Sequence, residues 1–147
     1  MKILVLHGPN LGLLGSREPG IYGHLTLDEI NRQITDAANE LHVTVECRQS
    51  DIEGELVHWI GQAGKTHQGL IINPAAYTHT SVAIRDAISA SGLKTVEIHL
   101  SNTHAREEFR HTSLTAPVCM AQIQGFGPAG YQLALKGLLD VLHSTAD

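Results

Sequence analysis

The chain has 147 residues and a formal net charge of −5, with 42% hydrophobic and 17% charged residues, the composition of an ordinary water-soluble globular domain. One domain of this length can bury a genuine core. The acidic balance offers no footprint for nucleic acid, and no apolar run reaches the length of a membrane span. The first residues, MKILVLHGPN, lack the long apolar segment and small-residue cleavage site of a secretory signal. Two cysteines, Cys47 and Cys119, each fall in an apolar strand-like run. They predict buried thiols in a cytoplasmic protein, not a disulfide framework or a zinc site.

In chain order, KILVLHG (2–8) reads as the first strand. HGPNLGLLGSREPGIYG follows, with five glycines and two prolines before anything helical. A compact domain seldom places so long a loop after its first strand. A helix is expected from Thr26, where T-L-D-E forms a capping box and Leu27, Ile30, Ile34, Ala37, Ala38 and Leu41 keep one apolar stripe. VTVECRQ (43–49) is the second strand. A second box, S-D-I-E from Ser50 to Glu53, predicts a helix running to about Lys65.

GLIINP (69–74) is the third strand, and SVAIRDAISAS is a helix stopped by Gly92 at the left-handed cap position. KTVEIHL (94–100) and PVCMAQI (117–123) are the fourth and fifth strands, joined by a connection, 101–116, with no obvious long helix. A last helix spans roughly Ala129 to His143. Strands alternating with helices in this way predict a single α/β domain over 1–147 with a five-stranded parallel sheet.

Ligands in such sheets bind beyond the carboxyl ends of the strands, where the strand order switches. Polar side chains placed there are Asn10, Arg17 and Tyr22 after strand one; Asn73, Tyr77, His79 and Thr80 after strand three; and Glu97, His99, Ser101 and Asn102 at strand four. Two glycine motifs compete for attention. GFGPAG (125–130) matches a dinucleotide fingerprint, but the chain ends before a ribose-binding acid could follow, so a tight turn with close helix packing is expected. GQAGKT (61–66) closes a helix where a phosphate loop would open one. Ten histidines raise the question of a metal, yet neither H-E-x-x-H nor a Cys/His cluster at ligand spacing occurs.

A phenol titrates near ~10, so Tyr22 acting as a base at neutral pH would need about 4 kcal/mol of help. A guanidinium such as Arg17, five residues away in the same loop, favours the phenolate. A histidine can donate a proton at the same pH, so a base and an acid on opposite sides of a pocket suit an elimination. Asparagines such as Asn10 and Asn73 are neutral donors for a developing enolate. Each residue also has a plain structural use: Asn10 and Asn73 adjoin prolines and serve equally as turn residues, His99 as a strand-end histidine, Tyr22 as a packed loop aromatic.

GPNLGLLGSREPGIYG, INPAAYTHTSVAIRDA, VEIHLSN and GFGPAGYQLAL occur in the order and spacing of the type II 3-dehydroquinate dehydratases, which the whole chain resembles; Gly12 stands where many members carry asparagine. The resemblance implies a flavodoxin-like three-layer sandwich and the cofactor-free loss of water from 3-dehydroquinate through an enolate. It implies Tyr22 as base, His99 as general acid, Arg17 as transition-state stabiliser, Asn10 holding a water or enolate oxygen, and Glu97 orienting its neighbours. Asn73, His79 and Arg110 would contact the substrate, backbone amides of Leu100 and Ser101 its carboxylate, and Asp86 the site of a neighbouring subunit in a homododecamer of four trimers. The loop at about 10–24 would be a lid over the pocket.

Three other readings compete with it. A flavin or nucleotide module would need a Ser/Thr-rich phosphate cradle after strand one. A receiver domain would need acids at the ends of strands one and three, where His7, Asn10 and Asn73 stand. Schiff-base dehydration would need a pocket lysine, and Lys2, Lys65, Lys94 and Lys136 are not placed for one.

Overall fold

The computed structural model describes residues 1–16 and 18–146. Strands β1 (Lys2–His7), β2 (Thr44–Gln49), β3 (Gly69–Asn73), β4 (Lys94–His99) and β5 (Ala121–Gln124) form one sheet in the order β2-β1-β3-β4-β5. Every neighbouring pair is parallel. The helices are α1 (Pro19–Tyr22), α2 (Leu27–Glu40), α3 (Glu53–Ala63), α4 (Val82–Ser91) and α5 (Ala129–Ser144). Among the described residues no helix is long and apolar enough to cross a membrane.

The two-residue period of a strand sorts the core into two halves. Ile3 and Val5 face Ile30 and Ile34 of α2 and Leu135 and Leu138 of α5. Leu4 and Leu6 face Leu56 and Ile60 of α3 and Ile84 and Ile88 of α4. The sheet is therefore the middle of three layers, and β1 and β3, covered on both sides, are continuous apolar runs. This is the expected α/β sandwich.

Several local signals hold. Thr26 and Glu29 make the reciprocal capping box, Glu29 N–H to Thr26 Oγ1 at 3.2 Å and Thr26 N–H to Glu29 Oε2 at 2.9 Å. Gly92 ends α4 with a φ of 68°. The GFGPAG turn uses positive φ at Gly125 and Gly127, and a Cβ on Gly130 would lie 2.9 Å from Ile98 Cδ1, the close helix packing expected there. GQAGKT closes α3.

Four expectations need correction. The Ser50 box does not form: α3 starts at Glu53 without a side-chain cap. Ser50 is pinned to the end of β1 through its N–H to His7 O, and its hydroxyl donates to Glu55 while accepting from Ile52 N–H. β5 starts at Ala121, not at 117, because Ala116–Val118 is a 3-10 turn and Pro117 has no N–H for a ladder. Cys119 thus lies outside the strand, and both thiols are only partly buried, although burial still pushes Cys47 up to about 11 and Cys119 to about 12. Finally, the segment after β1 is not devoid of helix. It holds a 3-10 turn at Leu11–Leu13 and the single turn α1, with Leu11 and Leu14 anchored in the core.

Where β1 leaves the sheet, Gly8 donates its N–H to Asn73 O at 2.8 Å, and a Cβ there would meet Pro74 O at 2.6 Å. Backbone cannot yield as a side-chain tip does. Gly8→Ala is expected to lower stability by about 1–3 kcal/mol, read as a shifted urea midpoint at unchanged slope.

Candidate active site

A cleft lies over the carboxyl ends of β1, β3 and β4, at the switch in strand order, where ligands bind in open parallel sheets. The segment after β1 supplies Pro9, Asn10 and Leu11; the end of β3 and the turn after it supply Asn73, Ala75, Ala76 and His79; the end of β4 and the residues after it supply His99, Leu100, Ser101 and Thr103. Tyr22 of α1 and Arg106 and Arg110 of the turns after β4 complete the wall. Asn10 and Ala75 hold positive φ, at 67° and 51°. Such conformations persist in non-glycine residues only where the surroundings enforce them. Asn10 N–H is tied to Asp51 Oδ1 at 2.8 Å, and Asn73 Oδ1 accepts from Ala75 N–H at 3.0 Å.

Beneath the cleft lies Glu97, fully buried. Its carboxylate accepts from His99 Nε2 at 2.6 Å, Thr78 Oγ1 at 2.5 Å, Thr115 Oγ1 at 2.7 Å, Ser113 Oγ at 3.1 Å and Gln122 Nε2 at 3.3 Å. Burial pushes this carboxyl up. The hydrogen bond and charge of His99, with the hydroxyls of Thr78 and Thr115, outweigh burial and hold it below the usual carboxylate range. A carboxylate only accepts, so His99 Nε2 carries the hydrogen and Nδ1 is the ring nitrogen left for chemistry. His79 is fixed in the opposite sense: its Nδ1 donates to Thr112 O at 2.7 Å, leaving Nε2.

The structure therefore brings Asn10, Tyr22, Asn73, His79, His99, Leu100, Ser101 and Arg110 around one cavity, with Glu97 supporting His99 from below. Asp86 sits exposed on α4 and does not line this cleft. Arg17 lies outside the described residues.

Sequence reasoning missed Arg106. Its Nη1 donates to Tyr22 OH at 3.0 Å and to Ser101 Oγ at 3.4 Å, and its guanidinium stands 5.4 Å from the centre of the Tyr22 ring. The segment 101–116 looked like a connection without a helix. Its useful signal was two arginines four residues apart directly after β4, of which only Arg110 was picked out. With both arginines present and, among the described residues, no carboxylate on the lining, the cleft favours an anionic ligand.

Thr115 is fully buried against Glu97 Oε2, and Thr115→Val keeps its shape while removing that donor. The substitution is expected to cost about 1–3 kcal/mol at pH 7. A carboxyl held low stabilises the fold above its unfolded value, near 4.5, and loses that contribution as acid protonates it in the folded state. The difference between variant and wild type should therefore narrow below pH 4.5, as followed by urea unfolding across pH.

Comparison with known proteins agrees with this architecture. The family model described as Dehydroquinase class II matches residues 1–139. A 3-dehydroquinate dehydratase of Gloeothece citriformis is 59% identical over 142 residues, covering 97% of this chain and 93% of that protein. Among solved structures, type II dehydroquinase from Butyrivibrio crossotus superposes with a TM-score of 0.93 at 46% identity, covering 95% of this chain and 97% of the other. The Propionibacterium acnes enzyme superposes with a TM-score of 0.92 at 45% identity, covering 95% and 96%. A match that spans nearly the whole chain, with the same fold and this level of identity, leaves one conclusion: the chain belongs to the class II dehydroquinase family of enzymes.

Proposed function

We propose that this protein is a 3-dehydroquinate dehydratase, a hydro-lyase that converts 3-dehydroquinate to 3-dehydroshikimate in the shikimate pathway, in the cytoplasm. The observation that carries the reading is the pairing, in one arginine-bearing cleft, of Tyr22 beside a guanidinium with His99 backed by a buried carboxylate. It is supported by membership of the family and by the names of the relatives.

The chemistry needs a base and an acid with complementary surroundings. Tyr22, as phenolate, takes a proton from the carbon beside the substrate ketone. The ketone holds the resulting electron pair as an enolate, so no cofactor is required. Asn10 donates to the water or oxygen that shares this charge, and Arg17 and Arg106 offer positive charge to the phenolate and the transition state. His99 then gives a proton to the departing hydroxyl, and water leaves. Glu97 accepts from His99 Nε2 and fixes its ring. Tyr22 ends protonated and His99 neutral, and exchange with solvent resets both.

Asn73, His79 and Arg110 are assigned to the substrate's hydroxyls and ring substituents, and the Leu100 and Ser101 amides to its carboxylate. Asp86, exposed on α4, is assigned to the site of a neighbouring subunit in a homododecamer of four trimers. The segment 10–24 is assigned as a lid whose closure excludes water over the cleft.

Purified protein mixed with 3-dehydroquinate and no added cofactor should raise the ultraviolet absorbance of a conjugated enone. Borohydride added with substrate should leave the rate unchanged; inactivation would indicate a lysine imine instead. Tyr22→Phe and His99→Ala should each lose about 10²–10⁴-fold in kcat with the fold intact, and near-normal turnover would remove that residue from the mechanism. Arg17→Ala should depress kcat more than it raises KM; an effect confined to KM would make Arg17 a binding residue only.

A further inference from the structure

Asp51, from the S-D-I-E motif that forms no box, is used outside its own segment. It stands exposed just before α3, whose N-cap is Ile52 and which no side chain caps. Its carboxylate turns instead toward the neighbouring strand ends. Oδ1 accepts from Asn10 N–H at 2.8 Å and from Gln49 Nε2 at 3.0 Å, and Gln49 Nε2 also donates to Gly8 O at 3.2 Å. The backbone carbonyl of Asp51 accepts from the Tyr77 hydroxyl at 2.7 Å. Segments that follow β1, β2 and β3 thus meet at one aspartate, which does not itself line the cleft.

Asn10 is the residue this arrangement holds. Its φ of 67° lies in the left-handed region, which asparagine tolerates better than most side chains but still at a cost. Both peptide planes that flank it are tied: its N–H donates to Asp51, and its carbonyl accepts from Leu13 N–H at 3.1 Å. Two fixed planes set φ and ψ, and with them the direction of the Cα–Cβ bond. The Asn10 side chain caps nothing in the 3-10 turn that follows, and the residue lines the cleft. Freed at its N–H, the backbone could relax to a negative φ and carry the side-chain amide off the cleft wall.

We infer that Asp51 is a positioning residue: by binding the backbone N–H, it holds Asn10 in the left-handed conformation that keeps its amide on the cleft wall. This rests on the assignment above of Asn10 to the water or enolate oxygen. Capping of α3 does not account for the carboxylate, since it bonds to no N–H of that helix. Gln49 and Tyr77 brace Asp51 from its own strand end and from the turn after β3, so the hold on Asn10 is anchored in the sheet.

The test uses the full-length protein, with hydrogen–deuterium exchange of residues 10–14 followed by mass spectrometry without substrate, and steady-state kinetics on 3-dehydroquinate. Asp51 is exposed, so its variants are expected to fold. Asp51→Ala should speed exchange across 10–14 and lower kcat about tenfold, with KM within about twofold. Asp51→Asn keeps an acceptor oxygen and should return both readouts to near wild-type values. In an Asn10→Gly background, which keeps the left-handed backbone accessible but lacks the amide, Asp51→Ala should lower kcat by less than about twofold more. Unchanged exchange and kcat in Asp51→Ala would overturn the inference. So would equal damage in Asp51→Asn, or an undiminished tenfold loss in the Asn10→Gly background. If wild-type protein fails to turn over 3-dehydroquinate while exchange still follows this pattern, the hold on Asn10 stands and the proposed activity falls.

Discussion

A carboxylate buried at the carboxyl edge of the sheet organises this protein's site. Glu97 lies two residues before the end of β4, buried, where a charge without partners would cost several kcal/mol. Its partners come from four segments: Thr78 after β3, His99 from β4 itself, Ser113 and Thr115 from the connection after β4, and Gln122 from β5. Satisfying one charge therefore ties together the edge of the sheet, fixes the His99 ring, and folds the long 101–116 connection back over the cleft. The late start of β5 belongs to the same constraint. The residues before it are engaged with Glu97 through Ser113 and Thr115 and turn at Pro117, so the ladder begins only at Ala121.

The opposite wall depends on a cation. Arg106 reaches Tyr22 across 84 residues of sequence and also touches Ser101, so it links the segment after β1 to the end of β4. Between these two walls, a carboxylate under an imidazole and a guanidinium against a phenol, lies the cleft. The sheet contributes the frame. Helices on both faces leave β1 and β3 no freedom, and the residues that follow them are delivered to the cleft by a rigid support.

How much was legible in the sequence follows from the range of the interactions. The apolar runs of β1 and β3, the Thr26–Glu29 box and the Gly92 cap are encoded by neighbours within a few residues, and each is found where the sequence puts it. The Ser50 box failed because a distant constraint, the pairing of Ser50 with His7 O, redirected a locally plausible motif. The convergence of Asn10, Tyr22, Asn73 and His99 followed from topology, since all lie just past strand ends or in the segment that follows one. Arg106 and the hydroxyls around Glu97 did not, because nothing in 101–116 marks which side chains turn inward. That information resides in contacts made across the fold.

The central claim, that Tyr22 and His99 divide proton removal from proton donation, is tested most directly by deuterium exchange. 3-Dehydroquinate incubated in D2O with His99→Ala should gain deuterium at the carbon beside its ketone without losing water, because the base still works while the leaving hydroxyl lacks its acid. Tyr22→Phe should show neither exchange nor dehydration. Exchange that persists in Tyr22→Phe and is lost in His99→Ala would contradict the account and reverse the two roles.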